Sequence, residues 1–193
     1  MTGRIERLQK EYEVIVRWRA FPLHPETPEE GVLLEDLFKT SPEKMAGMLE
    51  HLRRTADDLG LPFAPRTRTY NSRLAQELGL WAIDKGKGDA FHIAAFKAYF
   101  ASGLNLAKHP VLVDLARIVG LPVEEAEEIL SNRAYAGKVD KDWADSQLRG
   151  ITAVPTFVMG QHKLVGAQNF ESLADLVTLY GAARKTNNLA KPN

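Results

Sequence analysis

The chain has 193 residues, 45% hydrophobic and 26% charged, with 25 basic and 25 acidic side chains and a formal net charge of zero. These proportions fit one large globular domain, or a domain carrying a substantial insertion. The charge balance argues against a nucleic-acid or membrane partner recruited by bulk electrostatics, and no apolar run is long enough to cross a bilayer. Absence of cysteine excludes disulfides, thiolate metal sites and thiol catalysis by this chain alone. The charged stretch from Arg4 to Glu13 is unlike a secretion signal, so a cytoplasmic protein is expected.

Residues 1–11 read as the end of a helix, with Ile5, Leu8 and Tyr12 at helical spacing and no cap ahead of them. Glu13–Arg19 has the alternation of a strand: Val14, Val16 and Trp18 share one face, and Ile15 lies on the other beside Arg17 and Arg19. A proline-studded loop follows from Phe21 to Gly31. A helical block then spans about 41–149. Ser41-Pro42 forms a cap with proline at the first helical position, and Gly60 closes that helix. Met45, Met48, Leu49, Leu52, Ala56 and Leu59 form its apolar stripe, with the methionines as core filling.

Asn71 or Ser72 caps a second helix carrying Leu74, Leu78 and Trp81. Gly86-Lys87-Gly88 lacks the spacing of a phosphate-binding loop and is a chain break. From Asp89 the next helix is apolar around most of its circumference through Phe100, which predicts the buried centre of the block. Pro110 and Pro122 each open a short helix, and Lys141 to Arg149 forms the last one. Glu124-Glu125 and Glu127-Glu128 favour a helix dipole rather than forming a catalytic pair. The five histidines show no ligand spacing, so neither a metal nor any other cofactor is expected.

Gly150 to Ala167 is the most informative stretch. Pro155 cannot donate to a ladder, so it belongs at the start of a strand or on an edge. Thr156–Met159 suits a half-buried strand, Gly160-Gln161-His162 a turn, and Lys163-Leu164-Val165 the returning strand. The Val154–Pro155 bond is open to either isomer; a cis bond would turn the N–H and C=O of Val154 outward, toward an extended guest chain. Phe170, Leu173, Ala174, Leu176 and Val177 then make a closing amphipathic helix, with a polar, frayed tail from Lys185 to Asn193.

Several of these segments, in this order, resemble one family. They are Tyr70-Asn71-Ser72-Arg73-Leu74-Ala75, Phe96-Lys97-Ala98-Tyr99-Phe100, Gly150 to Phe157, and Gly166-Ala167-Gln168. Together they resemble the FrnE-like branch of the DsbA thiol–disulfide oxidoreductases. The resemblance implies an α/β, thioredoxin-like fold with a large all-helical insertion between the second and third strands. On that pattern residues 1–40 and 134–193 form the thioredoxin-like domain, and 41–133 the inserted helical subdomain.

It also implies a cis proline at Pro155 and a substrate-binding group of Val154, Pro155, Thr156 and His24, the last standing where the family has an asparagine. The family's first strand and its Cys-x-x-Cys pair have no counterpart here, so no catalytic residue is assigned. The chain is expected to be shortened at its N-terminus and inactive as a dithiol catalyst. Loss of an interior strand would expose two edges and an apolar surface, which predicts compensation by a partner such as a second copy sharing strands. The implied partner is an extended peptide or protein thiol substrate, with no nucleic acid and no membrane. Two alternatives remain: an enzyme like the kappa-class glutathione transferases and 2-hydroxychromene-2-carboxylate isomerases, which use glutathione and a serine, or a peptide-binding module without catalysis.

Overall fold

The computed structural model describes residues 2–185, so the expected frayed tail lies outside the described residues from Thr186 onward. In chain order the elements are α1 (Thr2–Glu11), β1 (Val32–Leu33), α2 (Leu34–Leu37), α3 (Pro42–Asp58), β2 (Arg68–Thr69), α4 (Arg73–Asp84), α5 (Gly88–Phe96), a π-helical turn (Lys97–Ala101), α6 (His109–Ile118), α7 (Val123–Asn132), α8 (Ala136–Leu148), β3 (Thr156–Met159), β4 (His162–Val165) and α9 (Phe170–Leu179). They divide into two compact units. One comprises the described parts of Met1–Arg19 and Asp145–Asn193; the other is Ala20–Ala144.

In the first unit α1 turns Ile5 and Leu8 inward, as their spacing predicts. Leu8 packs on Leu173, Ala174 and Val177 of α9, joined by Val14, Phe157, Met159 and Leu164. Asn169 caps α9 by accepting from Ser172 N at 2.7 Å. After α9 the chain returns to the end of α1: Tyr12 and Arg184 form a single antiparallel bridge, Glu13 N donates to Ala183 O and Lys185 N to Glu11 O.

The expected strand at Glu13–Arg19 does not form among the described residues; the bridge at Tyr12 lies one residue ahead of it. Its side chains do alternate, with Val14, Val16 and Trp18 half-buried and Glu13, Ile15, Arg17 and Arg19 exposed. A strand is defined by its ladder, however, and β3 pairs with β4 alone among the described residues. The alternation follows from one apolar side lying on a core; the ladder needs a paired strand, and none is paired with this segment among the described residues. Ile15, on the open side, is 83% exposed.

The second unit is helical apart from the short β1–β2 ladder, in which Val32 pairs with Thr69 and Leu33 with Arg68. Its boundaries differ from the expected 41 and 133, since residues 20–40 and 134–144 also belong to it. Ala20 N donates to the buried Asp142 carboxylate at 2.8 Å, and β1 pairs with β2 inside this unit. Its core combines Leu78, Trp81 and Ala82 of α4, Phe91 of α5, Leu112, Leu115 and Ala116 of α6, and Ala126 and Leu130 of α7.

Two expectations about this core need correction. Helix α5 and the π-helical turn after it are not wholly enclosed: Phe91 and Ala98 are buried, but Phe96 is 47% exposed and stacks in a row with His92 and Phe100. On α3 only Met45 is buried; Met48, Leu52 and Leu59 stand about half in solvent, because α3 meets little more than the short α2.

A buried charge cluster ties α4 to the α7–α8 junction. Glu77 is fully buried and accepts from Arg73 Nε at 2.9 Å, and from Arg133 Nε and Nη2 at 2.8 and 2.7 Å. Burial on its own would raise the Glu77 carboxyl, but the hydrogen bonds from Arg133 and Arg73 prevail and hold it below the usual range. Arg133 reaches Glu77 from a left-handed position (φ 52°) that ends α7, and Arg73 lies over the Trp143 ring at 4.6 Å.

His92, half-buried on α5, is another shifted titratable group, held down at about 4 by desolvation against the opposing pull of Asp89. The unfolded side chain titrates near 6.5, so the unfolded chain binds the extra proton first. Stability associated with His92 is therefore complete above about pH 6.5 and is lost as pH falls toward 4, by at most about 3 kcal/mol. His92→Phe should flatten this dependence, as read from urea unfolding at pH 7 and pH 4.5; an unchanged slope would exclude His92 as its source.

Candidate functional site

The candidate site is the mouth of the β3–β4 hairpin. Helix α8 ends through hydrogen bonds from Gly150 N to Gln147 O and from Ile151 N to Ser146 O, with Gly150 in the left-handed region at φ 61°. Thr152 to Pro155 then run exposed into β3. The Val154–Pro155 peptide bond is cis. Thr156 Oγ1 donates to Ala153 O at 2.6 Å, and Gly166 N donates to Pro155 O at 2.8 Å, closing the hairpin mouth. The ladder runs in register from Thr156–Val165 to Met159–His162. His162 thus begins β4, and the turn is shorter by one residue than the sequence suggests.

Between these anchored positions Val154 is left open. Its side chain is 43% exposed, and neither its N–H nor its C=O has a hydrogen-bond partner among the described residues. Two residues later begins β3, whose outer edge is also unpaired among the described residues. Thr156 is partly buried and its hydroxyl is engaged by Ala153 O, so it acts as a brace rather than a nucleophile.

The fourth expected residue, His24, belongs to the helical unit. It is exposed, sits in the left-handed region at φ 53°, and meets Phe38 edge-on with centroids 6.1 Å apart. Asn71, read from sequence only as a cap, also fastens the loop after His24: its Nδ2 donates to Pro25 O and Thr27 O at 3.1 and 2.7 Å. Its Oδ1 meanwhile accepts from Arg73 N at 2.8 Å.

Sequence reading missed the lock at the far end of the hairpin. Gly160 turns at φ 55°, and the Tyr180 ring lies where a Cβ on Gly160 would stand. Tyr180 Oη accepts from Gln161 N at 2.9 Å and meets His162 Nδ1 at 2.8 Å. A glycine in a turn facing an aromatic after the next helix was the available signal. At the near end, Gln168 Nε2 donates to Val165 O, while Arg4 from α1 donates to Gln168 O, both at 2.7 Å. No group of acidic, histidine or cysteine side chains suited to a metal occurs among the described residues. The site offers main-chain donors and acceptors and apolar contact, but no thiol.

A sequence profile of the DSBA-like thioredoxin domain matches residues 1–178. The chain belongs to this family. Its fold is the family's thioredoxin-like α/β arrangement with a helical insertion, here without a Cys-x-x-Cys pair. It is 28% identical to the uncharacterized protein YwbO of Bacillus subtilis over 170 residues, covering 84% of this chain and 80% of that one. Among solved structures, a probable DsbA oxidoreductase of Streptomyces coelicolor superposes with a TM-score of 0.77 at 25% identity, over 91% of this chain and 78% of that one. A 2-hydroxychromene-2-carboxylate isomerase superposes with a TM-score of 0.70 at 19% identity, over 93% and 86%, a likeness of fold alone.

Proposed function

We propose that this chain holds an extended polypeptide at the mouth of the β3–β4 hairpin, as the substrate-binding part of DsbA-type thiol–disulfide chemistry, and performs no thiol exchange itself. The observation that supports this most is the exposed backbone of Val154, without a partner among the described residues, just ahead of an edge of β3 that is likewise unpaired among them. A guest chain in extended form would take this N–H and C=O by main-chain hydrogen bonds, which select strand geometry over sequence. The Val154 side chain adds an apolar contact. A second copy of the chain presenting an extended edge would be the same kind of guest. With no cysteine, the chain cannot form the mixed disulfide that exchange requires. No contact at the hairpin favours glutathione, so the isomerase-like reading is not adopted.

Fluorescence anisotropy with a labelled, carboxymethylated unfolded polypeptide should show saturable binding. Val154→Pro deletes one donor and should weaken it about 2- to 10-fold, the range for a single net hydrogen bond; His24→Ala reports separately on the second candidate contact. Insulin reduction in dithiothreitol should run no faster with the chain than without it. Binding untouched by Val154→Pro would refute the docking mode, and catalysed insulin reduction would refute the absence of exchange.

A further inference from the structure

A second site lies wholly within the helical unit. Arg66, Arg68, Tyr70 and Tyr99, with Thr67 and Gly103, line a cavity of about 180 Å³. No acidic side chain lines it. The other arginines of this unit, Arg53, Arg54, Arg73, Arg117 and Arg133, each meet a carboxylate. Arg66 and Arg68 meet none among the described residues. Arg68 donates to Gly31 O at 3.1 Å. Arg66 donates to Tyr99 Oη and lies over the Tyr99 and Phe100 rings at 4.8 and 5.3 Å, while its Nε is buried with no hydrogen-bond partner among the described residues.

A buried guanidinium N–H without an acceptor is rare in folded proteins; this Nε is closed to the cavity, so a group entering it would meet the terminal N–H groups of the guanidinium. Tyr99 is aimed here by the π-helical turn Lys97–Ala101, a distortion found often at functional sites. Thr69 Oγ1, 2.8 Å from Tyr99 Oη, holds the phenol in place. The rings behind Arg66 and the backbone under Arg68 fix both guanidinium groups before any ligand arrives.

We propose that this cavity binds a small oxyanion, the carboxylate or phosphate group of a ligand, between Arg66 and Arg68. Planar guanidinium groups suit both chemistries, through paired N–H···O contacts. The volume is below the usual range for an entire drug-sized molecule, about 300–1,000 Å³, so the cavity takes a charged group and leaves the remainder of the ligand outside. The site is independent of the hairpin reading.

Isothermal titration of the full chain with sodium phosphate, and separately with sodium succinate, at constant ionic strength tests this. At least one of the two should bind saturably at one site per chain, and the tighter of them identifies the group. Arg66→Gln and Arg68→Gln should each weaken binding at least tenfold, whereas Arg117→Gln, outside the cavity, should leave it unchanged. If Arg66→Gln loses its fold by circular dichroism, the more exposed Arg68→Gln carries the test. Failure of both anions to bind the parent chain, or binding by Arg68→Gln as tight as the parent's, overturns the proposal.

Discussion

Replacing Arg73 and Arg133 together by methionine should lower the unfolding free energy by about 3–5 kcal/mol at pH 7, the cost of stranding a buried charge. Glu77 is the buried member of the cluster, while both arginines reach solvent: its side chain is 0% exposed, against 19% for Arg73 and 48% for Arg133. Removing the carboxylate would leave two cations that water can still serve. Removing the cations leaves a carboxylate that water cannot reach. Methionine retains most of the stem volume, so the loss reads charge more than packing, apart from the stacking of Arg73 on Trp143.

The pH dependence separates the two. In the parent chain Glu77 titrates below its ordinary value, so its contribution is present above about pH 4.5 and is lost as pH falls through the lowered value. In the double variant burial acts unopposed and the carboxyl moves up. Its penalty is then greatest at neutral pH and shrinks as acid protonates it. Urea unfolding at pH 7 and pH 4 should show the deficit of the variant narrowing at the lower pH; a deficit equal at both would assign the effect to packing.

Gly160→Val should be the most damaging single substitution in the hairpin, costing about 2–5 kcal/mol. A β-branched residue at φ 55° costs about 1–2 kcal/mol in the left-handed region. Its Cβ would stand inside the Tyr180 ring edge, against Cε1, Cζ and Oη, so the ring must leave. Departure of Tyr180 breaks the contacts to Gln161 N and His162 Nδ1, at about 0.5–1.5 kcal/mol each. Tyr180→Phe removes the hydroxyl and its two contacts alone and should cost less, about 1–3 kcal/mol. Thermal unfolding of the two variants checks the order; equal shifts would show that the ring packing against Gly160 contributes nothing.

How much could be read in advance varied with the range of the interaction. The hairpin was legible because its signals lie within a dozen residues: Pro155 at the strand entry, Thr156–Met159, and Gly160 at the turn. Asn71 and Ser72 were both legible as caps of α4; Ser72 holds the cap position and Asn71 Oδ1 accepts from Arg73 N, but the grip of Asn71 on Pro25 O and Thr27 O spans more than forty residues and leaves no local trace. The lock between Gly160 and Tyr180 lay in between, since one member was recognised and its partner was not. On α3 the heptad-like spacing of Met45, Met48, Leu52 and Leu59 suggested a buried face; spacing reports that a helix could bury a face, and says nothing of whether a neighbour comes to cover it.

By itself the sequence determined the positions of the main helices, the cap at Ser41, the hairpin around Pro155, and the exclusion of thiol chemistry. Each of these follows from backbone preference, short-range periodicity or elemental composition. The tertiary structure alone decided that Glu77 meets Arg133, that Arg66 meets Tyr99, and that Val14 to Arg19 keeps the burial of a strand without its ladder. Those outcomes require partners far apart in the chain. Ladder bonds and ion pairs have energies set by atoms within a few ångströms, and only folding brings those atoms together.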